Sequence, residues 1–169
     1  MKIAIRSAEI DMDDFIAMRA LHVFAVVIWI GGVSMMTTVI LPGLRRGDLG
    51  ENPIDAFEAI ERRFVWQARG TVLLVGLSGF YMVWRLDLWG WFSAISFWWM
   101  HAMVGVWLLF AFILFVVEPF NLHWRLRQFA VTHPDAAMRR MQRLHWSLLV
   151  LSSITIMGAV VGSHGWSMF

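Results

Sequence analysis

Charged residues bunch at intervals along the chain and leave four long apolar stretches, at about 19–41, 69–84, 95–117 and 144–162. A helix needs roughly 20 apolar residues to cross about 30 Å of hydrocarbon, and these stretches approach that length. The second is the shortest. It gains length by recruiting Phe64, Val65 and Trp66, while Arg69 extends its head toward lipid phosphates. The pattern predicts an all-α protein, an integral membrane antiparallel four-helix bundle built by residues 1–169 as a single domain.

The connections between stretches also carry pattern. Asn52-Pro53 followed by Ile54, Phe57, Ile60 and Glu61 reads as a capped amphipathic helix. His133-Pro134-Asp135 opens a similar basic segment leading into the fourth stretch. Near the N-terminus Glu9, Asp11, Asp13 and Asp14 precede the first stretch, with no small-residue cleavage pattern after a short apolar core, so the first span is expected to be retained.

Composition changes the solvent rather than the pattern. With 59% hydrophobic residues, 11 Trp, 15% charged residues and a mean hydropathy of +0.65, the chain is more apolar than a soluble core of 169 residues requires. The net charge is only +2, and the pI near 9.9 owes much to a single Tyr and no Cys, so a nucleic-acid partner is not expected. The absence of Cys excludes disulfides, thiolate metal sites and covalent haem attachment.

Charge placement sets the topology. Arg45, Arg46, Arg62, Arg63 and Arg69 lie between the first two stretches, and Arg125, Arg127, Arg139, Arg140 and Arg143 between the last two, which is ten of the 14 basic residues. The positive-inside rule then puts both termini outside, N-out and C-out. Trp29, Trp84, Trp89, Trp91, Trp98, Trp99, Trp107, Trp124, Trp146 and Trp166 read mostly as an aromatic belt at the helix ends.

This topology sorts the six histidines by depth. His22, His101 and His164 fall at the outer side, within about 10 Å of one another in depth at 1.5 Å per residue. His123, His133 and His145 fall at the inner side, and His133, beside Pro134, is expected to be solvated. Ionisable groups in a membrane are costly and tend to mark function. Two at matching depth on different helices point to His22 and His101 as ligands of one centre, with His164 joining or replacing one of them. Interhelical hydrogen bonding, or an inner centre of His123 and His145, are the alternatives.

Small residues near these ligands would make room for a porphyrin. Gly105 follows His101 on the same helical face, Ala25 follows His22, and Gly76, Gly79, Gly158 and Gly162 bring more small surface. Close helix packing uses the same residues. Arg19 and Arg85 are placed to meet haem propionates or to anchor helix ends to lipid phosphates. Met100 and Met103 share a face from which His101 is rotated by about 100°, so packing explains them better than a copper(I) site.

The segment Ala20-Leu21-His22-Val23-Phe24-Ala25-Val26-Val27-Ile28-Trp29-Ile30-Gly31-Gly32 resembles the first helix of CopD-like membrane proteins and of the related four-helix membrane protoporphyrinogen oxidases. Glu61-Arg62-Arg63-Phe64 before an apolar helix with Gly76 and Gly79, and Met138-Arg139-Arg140 before the last helix, extend the resemblance. It implies a multi-pass protein of the bacterial inner membrane with a histidine-based centre, which holds haem b in the oxidases and is associated with copper in the CopD-like proteins. In the oxidases a Leu-His-x-Lys pattern is expected to open the third helix. Here that place reads Met100-His101-Ala102-Met103, which keeps the histidine and lacks the lysine.

The leading expectation is a b-type haem-binding protein, with His22 and His101 as axial ligands, that exchanges electrons with a quinone or a periplasmic redox partner, or serves as the redox subunit of a larger membrane complex. Two axial imidazoles would favour electron transfer over oxygen chemistry. The alternatives are copper transport or binding through His22, His101, His164 and Met100, an oxidase-like enzyme, and an anchor subunit without a cofactor, in a complex or a homo-oligomer.

Overall fold

The first apolar stretch lies inside a much longer helical run. In the computed structural model, which describes residues 2–48, 50, 53–119 and 132–165, helix α1 spans Lys2–Met35, passes through a π-helical turn at Met36–Ile40 and continues as α2, Leu41–Arg46. Gly47 stops it with φ +81°, its N–H meeting the Leu44 carbonyl while the Asp48 N–H reaches back to the Gly43 carbonyl at 3.0 Å. That pairing closes the helix end, and a side chain at this left-handed position would be strained.

Helix α3 spans Pro53–Arg85 and fuses the expected amphipathic helix with the second stretch. Between Ala56 and Arg69 there is no glycine or proline, and Ala, Glu, Arg and Gln dominate, so nothing in the chain favours a break. A turn at Leu86 and Asp87, the latter left-handed at φ 48°, leads into short 3-10 segments at Leu88–Ser93 and Ile95–Phe97. Helix α4, Trp98–Phe112, follows and ends in a second π-helical turn, Ile113–Val117. Helix α5, Pro134–Ser163, absorbs the expected basic segment as its own first turns. All regular structure among the described residues is helical. His123, Trp124, Arg125, Arg127 and Trp166 lie outside those residues.

Three of the helical runs, Met12–Arg46, Ile95–Val117 and Asp135–Ser163, are long and apolar enough to cross a membrane. The second stretch is not among them. Within α3, Gln67, Arg69, Thr71 and Ser78 together with Gly70, Gly76 and Gly79 dilute the apolar run.

Aromatic rings on glycines hold neighbouring helices together. Phe64 of α3 covers Gly32 of α1, and His22 of α1 covers Gly79 of α3, so these two run antiparallel. Trp107 of α4 covers Gly76, its Nε1 donating to the Val72 carbonyl at 2.9 Å. Trp98 and Trp99 of α4 lie on Gly158 and Gly162 of α5. Between them Ala25, Trp29, Val33, Val72, Val106, Phe110 and Leu148 form the main core, and Met36, Leu41, Leu44, Phe57 and Met138 a second one.

These contacts give a paired expectation. Gly76→Ala places a methyl into the Trp107 indole and disturbs the Val72 bond, so it should cost about 1–3 kcal/mol by overpacking. Gly70→Ala, with nothing near its Cβ position, should gain about 0.5–1 kcal/mol from helix propensity. Melting curves in detergent would read both signs.

The outer surface is apolar. Val27 on α1, Leu77 on α3, Phe112 on α4 and Met157 on α5 are all exposed, Leu77 and Met157 to more than two thirds. A surface like this on every long helix suits a membrane better than water.

The π-helical turns have a visible consequence. Inserting a residue into the ladder frees carbonyls, and each turn offers one to a polar side chain of another helix. Gln142 Nε2 on α5 donates to the Thr37 carbonyl at 3.1 Å. Arg69 Nε on α3 donates to the Leu114 carbonyl at 3.1 Å.

Candidate functional site

His22 sits on the face of α1 that meets α3, with its ring against Gly79, where a Cβ would stand 3.2 Å from the ring carbon Cε1. Its Nδ1 lies 3.1 Å from the Val75 carbonyl and 3.1 Å from Ser78 Oγ. A carbonyl only accepts, so Nδ1 carries the proton. Ser78 spends its own proton on the Leu74 carbonyl at 2.5 Å and presents a lone pair to the same N–H. The tautomer is therefore fixed by a second helix, and Nε2 keeps its lone pair, as in ligating histidines held through their other nitrogen.

His101 is placed differently. It is exposed on α4, its ring edge-on to Phe92 at 5.6 Å. Nε2 lies 3.0 Å from the Phe92 carbonyl and Nδ1 3.3 Å from the Phe97 carbonyl. A neutral ring has one proton to give, and the shorter contact assigns it to Nε2. The contacts of His22 and His101 share no residue.

His164, the residue capping α5, is exposed, and its Nδ1 donates to the Val160 carbonyl at 2.7 Å. His145 does the same with the Met141 carbonyl at 3.0 Å, beside the ring of Phe57. Both are bonds within one helix. His133 is exposed, 3.0 Å from Thr132 Oγ1. Among the described residues no group of three or more His, Asp or Glu is gathered to hold a metal ion. His22, His101 and His164 are therefore not assembled into one cluster.

Arg19 is exposed one turn before His22, and Arg85 is half-buried at the end of α3. Gly105 is exposed with open space at its Cβ position. Gly76, Gly158 and Gly162 carry indole rings and Gly79 carries His22, so the room that small residues suggest is filled by aromatic side chains. A porphyrin clamped between helices by His22 and His101 does not fit this packing. Nε2 of His22, on a ring oriented through Nδ1, is a nitrogen of the kind that ligates iron.

Two features have weak signals in the sequence. Ser78 is one hydroxyl among many until the fold brings His22 to it. Arg69 reads as an interfacial cation, yet it forms an ion pair with Glu118 at the end of α4, under Trp66 and Phe115, whose ring centroids lie 5.1 and 6.0 Å from its guanidinium carbon. No protein-family model, curated protein or solved structure matches the chain.

Proposed function

We propose that the chain is a four-span protein of the bacterial inner membrane, N-out and C-out, that binds haem b through His22 and passes electrons to a quinone or a periplasmic partner. The observation that carries this reading is the His22 ring: one nitrogen is held by Val75 and Ser78 of another helix, and the other is free to ligate. His101, His145 and His164 take their hydrogen bonds from their own helix or the segment just before it. When bound, the haem supplies a one-electron couple. The chain's own part is to fix the imidazole tautomer through Val75 and Ser78 and to offer Arg19 within a helical turn as a cation for propionates.

His101 could serve as a second ligand only if its Nε2 left the Phe92 carbonyl. A reduced-minus-oxidised spectrum of protein purified from haem-replete cells tests the reading. A b-type absorbance supports it, and copper near stoichiometric with protein and no porphyrin would replace it with the copper alternative.

The fourth span rests on α3, whose exposed Leu73, Leu77 and Phe80 form an apolar flank despite its polar interior residues. Because the chain has no Cys, single introduced cysteines report topology cleanly. An impermeant maleimide should label Gly90→Cys in cells with a permeable outer membrane, and Asp48→Cys only after the inner membrane is opened. The reverse result would invert the orientation.

A further inference from the structure

Among the described residues five Ser or Thr side chains are buried: Thr37, Thr71, Ser78, Ser152 and Thr155. Four of them donate to a backbone carbonyl one turn back, Thr37 to Val33, Thr71 to Gln67, Ser78 to Leu74 and Thr155 to Leu151. This is the usual way a hydroxyl satisfies itself in an apolar helix. Ser152 is the exception. It is 1% exposed and its Oγ has no hydrogen-bond partner.

Trp29 shares the same condition. Its ring is 4% exposed, edge-on to Phe110 at 4.7 Å, and its Nε1 has no partner. A buried indole N–H normally finds an acceptor, and in a hydrocarbon setting an unpaired donor is costlier still.

The two groups lie at one depth. The bond from Gln142 to the Thr37 carbonyl ties α5 to α1. Trp29 stands about two turns along α1 from that bond, and Ser152 just under three turns along α5, about 12 and 15 Å at 1.5 Å per residue. Helix α2, which continues α1, packs through Leu41 and Leu44 on Met138 at the start of α5, so the two displacements run the same way. Ala25, Trp29 and Val33 on one side and Leu148 on the other belong to one core.

We propose that Trp29 Nε1–H and the Ser152 hydroxyl form a binding site for one oxygen acceptor in the core between α1, α4 and α5. The acceptor is a lone-pair oxygen, either a buried water or the carbonyl of a lipid-soluble quinone. An N–H and an O–H converging on one oxygen satisfy both donors, and the core that holds Trp29 is built of apolar side chains. The site is independent of the His22 centre, since none of the residues holding His22 takes part.

The test is a double-mutant cycle on the full-length protein in detergent, using Ser152→Ala and Trp29→Phe, two changes that remove one polar atom each with little loss of packing. If the two share an acceptor, each single variant melts lower by about 3 °C, and the double variant falls no further than the worse single. Adding a short-tailed benzoquinone separates the two sources. A rise in wild-type melting temperature that both variants lose identifies a carbonyl, and retained coupling without any rise identifies water. If Ser152→Ala melts higher than wild type, or the two effects simply add, the hydroxyl and the indole are separate unpaired groups and the proposal is overturned.

Discussion

Replacing His22 with alanine is expected to strip the haem from the purified protein, while His133→Ala leaves its content unchanged. His133 is an exposed residue ahead of α5, at the end of the bundle where Met138 meets Leu41 and Leu44 and away from His22. His22 is the opposite case. Its imidazole is the one that a second helix turns and protonates on a chosen nitrogen, through the Val75 carbonyl and Ser78 Oγ. Ser78→Ala separates ligation from packing, because it removes one of two acceptors of the Nδ1–H and leaves the other. Such outer partners typically tune metal affinity by roughly 10–100-fold, so this variant should retain haem weakly, with a shifted band or potential. His101→Ala distinguishes one axial protein ligand from two. Loss equal to that of His22→Ala means that His101 leaves Phe92 to ligate. Wild-type haem content in His22→Ala would end the assignment, whatever the other variants did.

The sequence makes the helices legible and their contacts much less so. The third stretch, 95–117, coincides with the apolar run Ile95–Val117, whose far end is marked by the charge of Glu118. For α1, α3 and α5 the apolar stretch marks only the lipid-facing part, and the helix continues through polar residues that hydropathy cannot distinguish from a loop. The same limit explains α3, where Arg69, Thr71 and Ser78 and three glycines in the apolar stretch pull a membrane-length helix below the apolarity of the other three runs.

At the site, position along a helix does not give direction. His22 and His101 are expected at matching depth, yet one faces α3 and the other turns to its own preceding segment. The glycines near them read as empty space, while the fold uses Gly76, Gly158 and Gly162 as seats for Trp107, Trp98 and Trp99. Trp29, counted by position with the aromatic belt, is instead buried against Phe110. Neither π-helical turn has a signature in a 3.6-residue period, since each adds a single residue to the ladder.

The Arg69–Glu118 pair is expected to answer two single substitutions unequally. Both side chains are mostly buried, at 18% and 27% exposure, where removing one partner leaves a poorly solvated charge less well compensated. Glu118 directly follows the π-helical turn that ends α4, and a carboxylate at a helix C-terminus meets the negative end of the helix dipole. Arg69→Met therefore leaves an anion where the helix disfavours one, and should cost about 3–5 kcal/mol. Glu118→Leu leaves a cation at that same negative end, still bonded to the Leu114 carbonyl and lying over Trp66 and Phe115, so its cost should be smaller, about 1–2 kcal/mol. The double variant Arg69→Met with Glu118→Leu removes both charges and should return close to wild-type stability, since apolar replacements of buried ion pairs are often neutral. Unfolding in detergent followed by tryptophan emission measures all three. A double variant as unstable as Arg69→Met would show that the pair does more than compensate its own charges. Equal costs for the two singles would remove the helix dipole from the account.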